Sequence, residues 1–269
     1  MVELKAGARF ERAADGWVVL NLPRRDDVAA LPALLERDVS PDEWTAVSAA
    51  IARRPCRELV DRGRLLGLAV AATTERSPHP PPGARLAAGA RRIPNAQPLV
   101  LDLSSLWAGP LAGSILAAAG ARVVKVEGRS RPDGARQGPA AFFDLLNAGK
   151  EMLAVDVTDR ADLAFLRSLM ARADLVIEAS RPRVMAQWGI DPLALAVESA
   201  TSWISITGHG RVDDPLRVGF GDDAAVAGGL WSRTDAGPGF VADAVADPLT
   251  GMAAAVHDTR VQGDERWSS

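Results

Sequence analysis

Cysteine, histidine and tyrosine are all scarce in this chain. Cys56 is the one cysteine, so no disulfide can close within the chain. A structural zinc site built on several cysteines is excluded for the same reason, and a single thiol fits a reducing compartment. Histidine occurs three times, as His79, His209 and His257, too few for a multi-histidine centre, and no metal is expected. Tyrosine is absent, which removes phenolic chemistry. Neither sign of charge dominates: 31 Lys and Arg face 34 Asp and Glu, a net charge of −3. There is no broad cationic excess to neutralise phosphates, so nucleic acid is not an expected partner. No run of about 18 uninterrupted apolar residues marks a membrane span. The opening MVELKAGARFERAADGW carries charges and lacks an apolar signal core. The chain reads as cytoplasmic, with no membrane partner.

What is present is ordinary for a globular protein. Hydrophobic residues are 48% and charged residues 24% of the 269, enough for one large domain or two small ones.

The chain changes texture along its length. Residues 1–75 hold short elements: a strand over Gly16–Leu22, a helix over Asp26–Glu36, and another strand over Gly67–Ala71. Ser40-Pro41-Asp42-Glu43 reads as a helix start with Ser at the N-cap and Pro at N1. The helix it opens puts Trp44, Val47 and Ile51 on one face, and Glu58–Leu66 reads as a further helix. Residues 76–97, with Pro78-His79-Pro80-Pro81-Pro82-Gly83, read as a linker. From residue 98 strands and helices alternate. Strands fall at 99–103, 122–127, 153–157, 175–178 and 203–206, and helices at 110–119 and 159–172. That rhythm predicts an α/β fold with a Rossmann-like, doubly wound parallel sheet. Ligands then belong at the carboxyl ends of the strands. Residues 98–256 form this large portion and 257–269 a polar tail.

Three features could carry chemistry. The first strand-to-helix turn, Ser104-Ser105-Leu106-Trp107-Ala108-Gly109-Pro110, lacks the glycine fingerprint of dinucleotide sites. Even so, a small-residue turn feeding a helix N-terminus offers amides to an anion; the alternative is a plain tight turn. After the second strand, Lys125 and Glu127 precede Arg129, Arg131 and Arg136. Such a basic loop suits a phosphorylated ligand or is simply solvated. Asn147-Ala148-Gly149-Lys150 adds a turn with a cation. Third, residues 213–247 concentrate acids: Asp213, Asp214, Asp222, Asp223, Asp235, Asp243 and Asp247. Carboxylates in Gly-rich loops serve as nucleophiles or proton shuttles, and equally as caps and turn formers. Asp247-Pro248 reads as an N-cap followed by Pro at N1. His209, after the fifth strand, is the one histidine in a site-like place, and Cys56 reads as buried or incidental.

An ordered series of segments resembles the class III CoA-transferase family of CaiB/BaiF type. They are LVLDLSSLWAGPLAGSILAAAGARVVKVE (99–127), FFDLLNAGKEMLAVDV (142–157), ADLVIEASRPRVMAQWGI (173–190), WISITGHG (203–210) and VADPLTGM (245–252). The resemblance implies a Rossmann-like large domain, a small α+β domain and a homodimer of interlocked subunits, or else a partner subunit. It implies coenzyme A as the carried group, with acyl-CoA and small carboxylic acids as substrates. Coenzyme A would then lie near Ser105, Leu106, Trp107 and Ala108, the Lys125/Arg129 loop, Asn147 and Lys150, and Arg181 in the segment 178–183. It places the nucleophilic carboxylate at Asp235, before Gly237-Pro238. In the racemase branch the working acid matches Asp247, but its histidine partner would fall near Phe220, where none stands. Oxyanion donors would come from backbone at 219–221 and 228–229.

There are departures from the family pattern. Gly128, Gln187 and Thr207 stand where basic residues occur in formyl-CoA transferases. The chain stops soon after Asp247, before the Gly-rich loop that shields the acyl intermediate. Residues 14–75 resemble the family's C-terminal small-domain segment, as in a permuted chain or one cut from a two-copy fusion. A CoA-ester racemase using Asp247 and an inactive CoA-binding paralogue are the alternatives to a transferase.

Overall fold

The computed structural model describes residues 7–75, 97–210 and 217–263. Apart from Gln97, the expected linker lies outside the described residues, as do His79, Asp213 and Asp214. The chain divides into two units. One is 1–79 with 208–246, and the other is 80–207 with 247–269.

The first unit begins with β1 (Ala8–Arg12) and β2 (Trp17–Asn21). Helices α1 (Arg25–Ala29), α2 (Leu31–Leu35), α3 (Trp44–Ile51) and α4 (Cys56–Leu66) follow, then β3 (Ala69–Ala72). The strands pair antiparallel in the order β1-β2-β3. The single helix expected over 26–36 is two helices broken at Ala30. Pro32 explains the break, because it has no N–H to continue the α1 ladder and sits in the first turn of α2. Ser40 does not cap α3. It closes a turn instead, its carbonyl accepting from Glu43 N at 3.0 Å, and the helix starts at Trp44. The start of α4 is capped from a distance: Cys56 N donates to Asp15 Oδ1 at 2.7 Å. Gly67, at φ +69, ends that helix in the left-handed conformation that glycine adopts without strain.

The second unit runs β4 (Leu99–Leu103), α5 (Ala108–Ala118), β5 (Arg122–Gly128), a 3₁₀ turn at Gly134–Gln137 and α6 (Ala140–Asn147). It continues through β6 (Glu151–Val155), α7 (Arg160–Arg172), β7 (Leu175–Glu178), α8 (Pro182–Gln187), α9 (Pro192–Ser199) and β8 (Ser202–Ser205). All five strands are parallel, in the order β6-β5-β4-β7-β8. Strand residues point alternately to the two faces. Leu101, Val124 and Val176 meet Leu166, Met170 and Met185. Val100, Val123, Leu175 and Ile177 meet Ala112 and Leu116 of α5. Helices therefore cover both faces, which is the doubly wound architecture the strand–helix rhythm predicts.

The chain then returns to the first unit as α10 (Gly221–Ala227) and a hairpin of β9 (Trp231–Thr234) and β10 (Gly237–Phe240). Alternation on the first sheet explains why this segment belongs there. Val18, Leu20, Val70 and Ala72 face α2, α3 and α4. Val19 and Ala71, on the other face, are covered by Val226 and Ala227 of α10 together with Trp231 and Phe240. Residues 208–246 thus cluster with the N-terminal segment, inside the range that the 98–256 boundary assigns to the large portion.

The last element, α11 (Ala246–Gly263), packs Ala254 and Ala255 on the α5 face of the parallel sheet. It extends through the start of the expected polar tail, and Asp247 lies in its first turn and not at its N-cap. Among the described residues, no helix is long and apolar enough to cross a membrane.

Candidate functional site

The strand order of the second unit reverses direction on either side of β4, so the crevice of a doubly wound sheet opens at the carboxyl ends of β4 and β7. The turn from β4 to α5 occupies this place. Ser105 and Leu106 are exposed and Trp107 is half-buried, its ring edge-on to Phe142 with centroids 5.2 Å apart. Trp107 is the N-cap of α5 and Pro110 its third residue. The first amides of a helix have no carbonyl of their own to meet. Proline there leaves no donor unmet, and the remaining amides carry the positive end of the helix dipole. Gly109 is required by close packing, since a Cβ there would fall on the Ser104 side chain. Leu106 holds φ +70, a conformation uncommon for leucine.

A buried polar network underlies the turn. Lys125 is fully buried, and its ammonium meets Asp133 Oδ2 at 2.8 Å and donates to the Ser104 carbonyl. Asp133 Oδ1 accepts from Leu106 N and Ala135 N, each at 2.9 Å. Ser104 Oγ donates to Asp102, whose other oxygen meets Lys150 Nζ at 2.8 Å. Lys150 also donates to the Pro110 carbonyl at 2.7 Å and to Asn147 Oδ1 at 3.1 Å. Both lysines are therefore spent on internal partners, as buried charges must be.

These partners set the titration of the cluster. Burial pushes the Asp133 carboxyl up, but the Lys125 ammonium and the two amides outweigh it and hold it below the ordinary carboxylate value. Burial draws the Lys150 ammonium down, against the pull of Asp102. On the outer side, Arg136 forms a two-pronged pair with Glu127 at 2.6 to 3.2 Å and lies over the Phe143 ring. That guanidinium holds Glu127 below its ordinary value, against a smaller effect of burial.

The structure thus separates the residues that the sequence grouped. Ser105, Leu106, Trp107 and Ala108 form the turn. Lys125, Asn147 and Lys150 are buried beneath it. Arg129 is at the rim, pairing with Asp162 at 3.4 Å. Arg181 is the half-buried N-cap of α8, next to a β7 end where Glu178 Oε1 accepts from Ser205 Oγ at 2.7 Å. Asp133, Glu127, Asp102 and Ser104 were not singled out as site residues. Ser104 and Glu127 entered only as members of the turn and of the basic loop, and the signal for Asp102 was an Asp inside an otherwise apolar strand, in LVLDL.

The two catalytic candidates lie in different units. Asp235 is exposed at the tip of the β9–β10 hairpin of the first unit. Asp247 is half-buried in the first turn of α11, which belongs to the second. Gly251 follows Asp247 by four residues, so the two share a helix face. That face abuts the β4–α5 turn: a Cβ at Gly251 would lie 2.5 Å from the Ala108 carbonyl and 3.0 Å from Leu111 Cβ. The oxyanion donors expected at Gly228 and Gly229 are already committed, to the carbonyls of Ala224 and Val226 at 2.9 and 3.0 Å. His209 is buried against Asp223 at 3.3 Å, with Asp223 Oδ1 capping Phe220 N at 2.8 Å. This is a structural latch at the start of α10. Burial and Asp15 push the Cys56 thiol up to about 12, so it is an unreactive core group. Among the described residues, no group of three or more His, Cys, Asp or Glu is placed to hold a metal ion.

A doubly wound parallel sheet with a small-residue turn opening a helix at its switch point defines a broad class of α/β proteins. Comparison with known proteins narrows it. The profile of CoA-transferase family III matches residues 96–257, more than half of the chain, and the chain belongs to that family. It is 34% identical over 184 residues to the succinate–glutarate CoA-transferase of Agrobacterium fabrum, covering 60% of this chain and 46% of that one. It is 34% identical over 194 residues to the succinyl-CoA:mesaconate CoA-transferase of Haloarcula hispanica, covering 62% and 49%. Among solved structures it resembles a CaiB/BaiF family protein from Brucella suis, with a TM-score of 0.55 and 28% identity over 60% of this chain and 47% of that one. The chain spans about half the length of the curated relatives it matches.

Proposed function

We propose that the chain moves coenzyme A between an acyl-CoA thioester and a free carboxylate, with Asp247 as the acyl-carrying group. The observation that carries this is the seating of α11 on the β4–α5 turn at Gly251. Asp247 shares that helix face, which supports reading it as the acid beside the turn proposed to receive the anionic ligand. Asp235 stands on an exposed hairpin tip of the other unit, whereas a nucleophile that must avoid hydrolysis needs a covered setting.

The pyrophosphate of the ligand sits at the α5 N-terminus, where amides and the helix dipole favour negative charge. Ser105 and Trp107 line its approach, and Arg129, paired with Asp162, and Arg181 stand near the rim. An Asp247 oxygen attacks the thioester carbonyl. The carbon–sulfur bond breaks, leaving a mixed anhydride and the CoA thiolate. The thiolate then attacks the aspartyl carbonyl, which expels the donor carboxylate and forms an aspartyl-CoA thioester. The acceptor carboxylate attacks this thioester, and the released thiolate takes the acceptor acyl group from the second anhydride, restoring Asp247. Each step exchanges one acyl bond for another and needs no redox partner.

The test is CoA exchange, read by mass spectrometry with a panel of acyl-CoA esters and carboxylates. Asp247→Asn is expected to abolish exchange, while Asp235→Asn retains it. The reverse pattern would return the nucleophile to Asp235. Deuterium entering the α-carbon from solvent without exchange would identify a racemase. CoA binding without any turnover would identify a binding chain.

A further inference from the structure

We propose that Asp133 is a positioning residue that holds the β4–α5 turn in its ligand-receiving shape. This rests on the reading of that turn as the CoA-binding turn. Leu106 sits at φ +70, where a side-chain-bearing residue is uncommon and must be held by its surroundings. Its own amide is not available to a ligand, because it donates to Asp133 Oδ1 at 2.9 Å. The same oxygen accepts from Ala135 N at 2.9 Å, and Asp133 N in turn donates to Glu127 Oε1 at 2.8 Å. The carboxylate is itself held by Lys125 Nζ, 2.8 Å from Oδ2, with both side chains fully buried. One side chain, on the loop after β5, thereby sets the backbone of the turn after β4.

With the Leu106 amide turned inward, the outward amides left for an anion belong to the residues that open α5. Its side chain stays 42% exposed beside them. The placement of Gly134 agrees with this, since a Cβ there would press on Leu106 Cδ2 at 3.1 Å. The buried pairs Lys125–Asp133 and Lys150–Asp102, and the outer pair Arg136–Glu127, are each internally neutralised. The network therefore fixes shape and adds no net charge to attract the ligand.

Removing Asp133 alone would strand a buried ammonium, so the test removes both charges. Two double variants are compared, Lys125→Met with Asp133→Asn and Lys125→Met with Asp133→Ala. Asparagine keeps an acceptor for the two amides and alanine does not. The measurements are thermal melting, amide hydrogen exchange at Leu106, and CoA affinity by calorimetry.

The asparagine pair is expected to keep slow exchange at Leu106 and wild-type CoA affinity. The alanine pair, at a similar melting temperature, is expected to exchange at least tenfold faster there and to bind CoA at least tenfold more weakly. Replacing Leu106 by glycine in the alanine background is expected to recover affinity, because glycine adopts the left-handed conformation unaided. Unchanged exchange and affinity in the alanine pair would overturn the proposal. So would an equal loss in both pairs, which would make the ion pair, not the acceptor, the governing feature. If the wild-type chain binds no CoA, the reading of the turn as a CoA site fails, and Leu106 exchange alone decides whether Asp133 holds it.

Discussion

Gly251→Ala tests the seating of α11 directly. A Cβ at this position would lie 2.5 Å from the Ala108 carbonyl oxygen, whereas a carbon–oxygen contact relaxes at about 3.3 Å. The helix face must therefore retreat by roughly 0.8 Å, the difference between those distances. Backbone carbonyl and Leu111 Cβ lie on the opposing side, so no flexible side-chain end can yield instead. Overpacking of this kind costs about 1–3 kcal/mol, and the better helix propensity of alanine offsets about 1 kcal/mol of it. Stability should fall by about 0–2 kcal/mol, a small part of a domain's total. Activity should fall much further, because misplacing a reacting group by about 1 Å can cost about 10²-fold. The assay pairs a thermal melt with the CoA-exchange rate at saturating donor. A variant that melts near wild type and turns over some 10²-fold more slowly is expected. Full exchange with an unchanged melt would refute the reasoning, since Asp247 would then not depend on this contact for its position.

Three other outcomes follow from the charges and the thiol. Glu127 and Asp133 both titrate below their ordinary values of 4.5 and 3.8, so between folded and ordinary values the unfolded chain binds more protons. Their contribution is fully present above pH 4.5 and is lost as pH falls below it. Urea midpoints measured from pH 6 to pH 3 should decline in that window, less steeply in Glu127→Gln. Asp222 has the opposite sign. Burial raises it, with Asp243 and Asp223 adding repulsion against the Ala244 amide that stabilises it. Its charged form therefore costs stability as pH rises through its folded value. Asp222→Asn should melt higher than wild type at pH 7, with the difference vanishing below pH 3.8. Cys56, at about 12, should react with a thiol reagent at pH 8 only as fast as the protein unfolds, so labelling in native buffer should be accelerated by urea.

Local patterns marked most elements. LVLDL, RVVKVE and LVIE are short apolar or β-branched runs, and each became a central strand of the parallel sheet, because burial on both faces favours such runs. The helix over 159–172 reads as opened by Thr158 or Asp159, and it is Asp159 that caps α7, through Ala161 N and Asp162 N. The β4–α5 turn was legible as a small-residue turn feeding a helix, because the first amides of a helix have no carbonyl of their own to meet. Strand β1 was missed. ARFER alternates, but its five residues carry little apolar signal, and only pairing with β2 makes it a strand.

The chain by itself thus determined a doubly wound α/β portion and the strand-to-helix turn at its switch point. These depend on composition, period and local backbone chemistry, which act within a few residues. Tertiary structure alone decided which charges are buried in ion pairs and which stay at the surface. Lys125 and Lys150 read as binding cations in sequence, yet each meets a buried aspartate outside its own element, 8 residues away for Lys125–Asp133 and 48 for Lys150–Asp102. It also placed the two acids in different settings. Asp235 and Asp247 are twelve residues apart, but one ends on an exposed hairpin tip and the other on a helix face pressed against the first turn. No local rule gives this difference in setting, because α11 is seated through Gly251 against a carbonyl 143 residues earlier in the chain.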